Sequence, residues 1–182
     1  MNIRKHIDYS ELYHTLDSAM SAGLPQMELY CEIGRAICAR EEKGAAVAAA
    51  EYLNSAYPEV AGFSPRNVRR MREFYRTYEN TPSILREAME LGWTQNVVIL
   101  EAELSAEQSA WYIRTARCFG WSKLALAEKV AQRVHENPAI DNTLDPCYTA
   151  SDEKNMEAGN DQGAFYLPRE DMTEIAQVLE IA

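Results

Sequence analysis

The run "FSPRNVRRMREFYRTY", residues 63–78, holds the two patterns that decide how this chain folds. Ser64-Pro65 reads as a helix start. A serine oxygen accepts from the first unpaired N–H groups, and proline suits the first helical position, where its missing N–H is not needed. At about 100° per residue, Val68, Met71, Phe74, Tyr75 and Tyr78 then cluster on one side. Arg66, Arg69, Arg70 and Arg76 fall on the opposite side, with Arg72 at its edge. The segment therefore reads as an amphipathic helix with one core face and one face that is almost wholly guanidinium. Five of the chain's 18 basic residues lie here, all of them Arg, although the whole chain carries a net charge of −10.

Working outward, most of that negative charge belongs elsewhere. Residues 1–136 hold 16 basic and 18 acidic groups, which leaves −2. Residues 137–182 hold only Lys154 and Arg169 against 10 acidic groups, which leaves −8. The body is close to neutral and the tail is acidic. With 182 residues, 47% of them hydrophobic, the chain is long enough to bury a sizeable core. Stretches rich in Ala, Leu, Glu, Arg and Met run long between few Gly and Pro, and segments that read as strands are scarce. The expected class is all-α: a multi-helix bundle with helix-turn-helix-like elements and an acidic, irregular C-terminal tail.

Upstream of residue 63, Tyr9, Leu12, Tyr13, Leu16 and Met20 recur at helical spacing, and Gly23 and Pro25 separate that helix from the next. In "QMELYCEIGRAICAREEKG", Leu29, Cys31, Ile33 and Ile37 are expected inward, with a break at Gly44. A third helix then runs to Tyr57 and stops before Pro58. Downstream, "LGWTQNVVILEAEL" (91–104) resembles "FGWSKLALAEKVAQ" (119–132). The repeat predicts that Gly92 and Gly120 supply left-handed residues ending one helix. It also predicts that Trp93 and Trp121 anchor the corners and that Thr94 and Ser122 cap the next helices. Ser105 and Gln108 form a capping box between the two units. Beyond Asn137-Pro138 periodicity fails until "REDMTEIAQVLEIA". The expected organisation is a helical domain over 1–136, an acidic linker over 137–168 and a short amphipathic helix over 169–182.

Little here points to catalysis. His6, His14 and His135 are far apart and form no metal-ligand spacing, and no glycine loop is built to cradle a phosphate. No cofactor and no metal are expected. Asp152-Glu153-Lys154 fits the carboxylate-x-lysine half of a nuclease site, but it lacks the apolar alternation of a core strand. Acid pairs such as Glu101/Glu103 read as solvated. Cys31, Cys38, Cys118 and Cys147 make no C-x-x-C pair and read as thiols in a reducing cytoplasm. No signal peptide or membrane span is visible, so a cytoplasmic protein is expected.

Three runs carry a family resemblance: "CEIGRAICAREEKG" (31–44), "LNSAYPEVAGFSPRNVRRMREFY" (53–75) and "GWTQNVVILEAELSAEQSAWYIRTARCFGWSKLALAEKV" (92–130). Phe63, Ser64, Arg66, Asn67, Met71, Phe74 and Tyr75 stand in register, followed by Gly120, Trp121 and Ser122. The chain resembles, over about residues 25–135, the N-terminal domain of the YhcG family of bacterial PD-(D/E)XK-type nucleases (domain of unknown function 1016). The resemblance implies an all-helical, helix-turn-helix-like module that assists a nuclease in meeting DNA. Family members continue into a nuclease domain for which 182 residues leave no room, so nuclease activity is not expected. The segment "LGWTQN" also departs from the family's usual "LSWSH".

Two functional readings follow. In the first, the chain is a non-enzymatic DNA-binding or nuclease-associated module. Arg66, Arg69, Arg70, Arg72 and Arg76 contact phosphates, and Asn67 reaches a base edge. Arg without Lys favours planar recognition of phosphate over a merely solvated face. In the second, the chain is an assembly module. Met172, Ile175, Val178 and Leu179 dock on a homo-oligomer or nuclease partner, and the acidic tail masks the arginine face.

Overall fold

The structure, a computed structural model, describes residues 7–137. The expectations placed on 138–182, including the docking residues Met172, Ile175, Val178 and Leu179, lie outside those residues. Among the described residues the chain is all-helical, with no strand. The helices are α1 (Ser10–Ser21), α2 (Gln26–Cys38), α3 (Ala45–Ala56), α4 (Pro65–Tyr78), α5 (Pro82–Met89), α6 (Trp93–Leu100), α7 (Ala106–Cys118) and α8 (Lys123–Ala131). A short 3-10 turn, Val134–Glu136, follows. The chain forms two compact units that divide between Glu103 and Leu104.

In the first unit α4 is the hub: α2, α3, α5 and α6 all pack on it, while α1 covers α2 and α3. The helix starts as its sequence predicts. Ser64 is the N-cap, Pro65 takes the first position, and Ser64 Oγ accepts from the Asn67 amide at 3.3 Å. Val68, Met71, Phe74 and Tyr78 are buried, so the apolar stripe is the core face. The α2–α4 crossing is tight because α2 carries Gly34 at the contact. A Cβ built there would lie 2.2 Å from the Met71 carbonyl oxygen and 3.0 Å from Tyr75 Cβ. Only glycine lets the two backbones approach so closely.

α1 is tied to α3 by a carboxylate. Tyr52 Oη donates to Asp17 at 2.7 Å and Tyr57 Oη donates to it at 2.8 Å, while Tyr13 stacks on Tyr52 at 4.2 Å. These hydrogen bonds, Tyr52's first, hold the Asp17 carboxyl below its ordinary range, and the same contact pushes Tyr52 up to about 12. A lowered carboxyl stabilises the fold above its unfolded value of about 4, and that stability is lost as pH falls through the lower folded value. Wild-type melting temperature should therefore drop on acidification below about pH 4. An Asp17→Asn variant should start lower at neutral pH and show a shallower acid drop in the same thermal scans. Superimposable pH profiles would contradict this role for Asp17.

One corner differs from expectation. Gly92 is not left-handed: its φ of −67° and ψ of 152° are extended, and it serves as the N-cap of α6. The helix begins at Trp93, so Thr94 lies inside the first turn and is not the cap. Gln95 Oε1 accepts from the Gly92 amide at 2.9 Å, the backward half of a capping box. The preceding helix is closed instead by Asn96, fully buried, whose Nδ2 donates to the Ala88 carbonyl at 2.8 Å. A side chain four residues further along thus does what a left-handed glycine was expected to do.

In the second unit the expected turn chemistry is present. Gly120 is left-handed at φ 61°. The Trp121 and Gly120 amides donate back to Ala116 and Arg117, which closes α7 as a Schellman motif. Ser122 caps α8 through the Ala125 amide, and Ser105 and Gln108 complete the capping box of α7. The core of this unit includes a polar relay. Tyr112 Oη donates to the Lys129 carbonyl, and the His135 ring lies between Tyr112 Oη (2.9 Å, Nδ1) and Gln108 Nε2 (3.0 Å, Nε2). The tautomer with its proton on Nδ1 satisfies every pair. Cys31 and Cys38 are thiols, and burial pushes Cys31 up to about 11.

Candidate functional site

The arginine face of α4 is defined by what the opposite face does. Because Val68, Met71 and Phe74 are fully buried, the helix cannot rotate, and Arg66, Arg69 and Arg76 are left exposed. Arg70 is half-buried, and Arg72 sits at the α2-facing edge, where its backbone carbonyl accepts from Cys38 Sγ at 3.5 Å. The Arg72 Nε is shielded from water and has no hydrogen-bond partner among the described residues.

The arginines differ in their counter-ions. Arg76 pairs with Glu73 one turn back on α4, at 2.9 Å. Arg66 and Arg70 converge on Glu101, at the C-terminal end of α6. Arg70 donates from Nε at 3.0 Å and also from Nη2, and Arg66 donates from Nη2 at 3.1 Å, all to the single oxygen Oε1. Arg70 is the better seated, with its side chain 25% exposed against 75% for Arg66. The hydrogen bonds from Arg70 and then Arg66 hold the Glu101 carboxyl below its ordinary range. Arg69 makes no ion pair among the described residues.

Glu101 is exposed, as expected of a solvated acid, but it is also the shared counter-ion of two arginines. No local pattern marks it, since its partners lie 31 and 35 residues away. Its place is also unfavourable by itself, because a carboxylate at a helix C-terminus meets the negative end of the macrodipole. The two guanidinium groups are what compensate it.

Asn67 is held within the fold. Its Nδ2 donates to the Gly62 carbonyl at 2.7 Å, and its Oδ1 accepts from Trp93 Nε1 at 2.9 Å. Gly62, at φ 108°, is in the left-handed region that glycine adopts freely, and this clamp fixes its turn against the start of α4. Trp93 packs edge-on against Tyr30 and Phe74 at 5.0 and 5.9 Å. Both halves of the Asn67 amide are thus engaged in positioning the arginine helix.

The same unit carries a groove of about 590 Å³, lined in part by Ala19, Leu24, Cys31, Tyr75, Leu85 and Met89. The charged pair at its edge, Arg35 and Glu32, is already closed on itself. Its other polar lining residues include Glu28 and, donating to carbonyls of their own helix, Thr15 and Ser18. Among the described residues no group of three or more His, Cys, Asp or Glu is placed to hold a metal. No helix among them is long and apolar enough to cross a membrane.

The family model of the DUF1016 N-terminal domain matches residues 11–137, which takes in all of α2 to α8. No curated protein and no solved structure matches the chain.

Proposed function

Because the chain belongs to the DUF1016 N-terminal domain family, we propose that it is a non-enzymatic helical module that meets DNA through the arginine face of α4. One observation carries the reading. Along a single helix locked in rotation by its core face, Arg66, Arg69, Arg70 and Arg76 present guanidinium groups with fewer carboxylates than cations to balance them. Guanidinium forks bind phosphate oxygens in charge-assisted pairs, and each neutralised phosphate releases counterions. The proposed phosphate contacts do not include Asn67, whose amide bonds Gly62 and Trp93. It supports the helix that makes the contact. Arg72, at the edge, contributes charge more than contact.

The test is fluorescence anisotropy of the full chain with a short labelled duplex over a salt series. Binding at low ionic strength is expected, with log K falling against log salt at a slope of roughly −3, given about 0.9 per neutralised phosphate. Absence of binding at low salt, or binding indifferent to salt, would overturn the reading.

A further inference from the structure

The convergence of Arg66 and Arg70 on one oxygen calls for a ligand-level explanation. Two guanidinium groups one helical turn apart aim three N–H donors at Glu101 Oε1, two from Arg70 and one from Arg66. Several N–H groups meeting at a single anionic oxygen is also how a phosphodiester oxygen is held. Arg69, between them in sequence, is exposed and makes no ion pair among the described residues. We propose that Arg66 and Arg70 form a subsite for one backbone phosphate and that Glu101 is its resident stand-in, displaced when the phosphate arrives.

The proposal rests on the DNA-contact reading of α4 and adds its regulation. Glu101 and a phosphodiester each carry one negative charge, so the exchange leaves the charge held by the two arginines unchanged. Glu101 is suited to yield. It follows the last turn of α6, where the macrodipole disfavours a carboxylate, and its side chain is 48% exposed, so water receives it on release. The remaining arginines do not share this arrangement: Arg76 is balanced by Glu73 on its own helix. The consequence is a face that is partly neutralised when empty, which limits indiscriminate attraction to anions. It reaches full strength only against a ligand able to compete for Arg66 and Arg70.

Glu101→Gln in the full chain tests this, with Glu103→Gln as the matched control. Glu103 lies two residues on, and its replacement changes net charge equally while leaving the Arg66–Arg70–Glu101 contact in place. With a short labelled duplex, Glu101→Gln is expected to bind about tenfold more tightly at ~0.1 M salt and to steepen the salt slope by roughly one. Glu103→Gln should change affinity no more than about twofold, as screening dictates for an exposed charge off the contact. A wild type that binds duplex while Glu101→Gln matches it, or matches the Glu103 control, overturns the displacement and leaves the DNA reading standing.

A second measurement separates the two failures. Inorganic tripolyphosphate is added to isotope-labelled protein while the arginine Nε–H resonances are followed. Selective shifts at Arg66 and Arg70, saturating earlier in Glu101→Gln, support the subsite even if duplex binding is absent, in which case the DNA reading alone fails. No shift at either arginine, with either probe, overturns the subsite.

Discussion

Replacing Gly34 with alanine should destabilise the first unit by about 3 kcal/mol, the upper part of the range for overpacking a close contact. The added Cβ would stand 2.2 Å from the Met71 carbonyl oxygen and 2.9 Å from its carbon, both of them backbone atoms that no rotamer change can move. Relief requires α2 and α4 to separate, and α4 is the helix on which α2, α3, α5 and α6 pack. The intrinsic effect of the substitution runs the other way, since alanine favours a helix by about 1 kcal/mol over glycine. The sign of the result is therefore diagnostic. Urea unfolding of the full chain followed by circular dichroism is expected to show an earlier transition. A variant as stable as wild type would mean that the helices do not cross at Gly34.

Removing the Trp93 side chain should cost about 4 kcal/mol by the same measurement, as expected for truncating a large buried aromatic. Trp93 is 9% exposed and packs against Tyr30 and Phe74, so Trp93→Ala opens a void against two rings. It also removes the N–H that Asn67 Oδ1 accepts, and Asn67 in turn holds the Gly62 carbonyl at the start of α4. Trp93→Phe separates the two effects. It keeps most of the ring packing and should cost about 1–2 kcal/mol for the stranded amide oxygen. If both variants lose less than about 1 kcal/mol, the corner is not the anchor of the arginine helix that its contacts imply.

What could be read in advance, and what could not, divides by the range of the interaction. The start of α4 at Ser64-Pro65, the capping box of Ser105 and Gln108, the left-handed Gly120 and the cap at Ser122 were all legible. Each rests on residues within about four positions of one another. The apolar stripe of α4 was legible for the same reason, since periodicity is local. Gly92 misled because the repeat with Gly120 suggested the same turn. Asn96, buried and donating to Ala88, closes α5 from α6, so Gly92 is released to act as an N-cap. Gly34 gives no sign in sequence of its approach to Met71. Glu101 gives none of its pairing with Arg66 and Arg70, because both contacts join segments more than thirty residues apart. The arginine face was visible as a pattern, but its internal counter-ion and the engagement of Asn67 required the fold.

The central claim is that the guanidinium face of α4 meets phosphate, and the most direct test is the salt dependence of duplex binding by an Arg69→Gln/Arg70→Gln double variant beside wild type. If these arginines neutralise phosphates, the slope should weaken by about two and affinity at ~0.1 M salt should fall roughly fiftyfold, with the loss shrinking as salt rises. A double variant with unchanged slope and unchanged affinity would contradict the account, and the charge on α4 would then be an ordinary solvated surface.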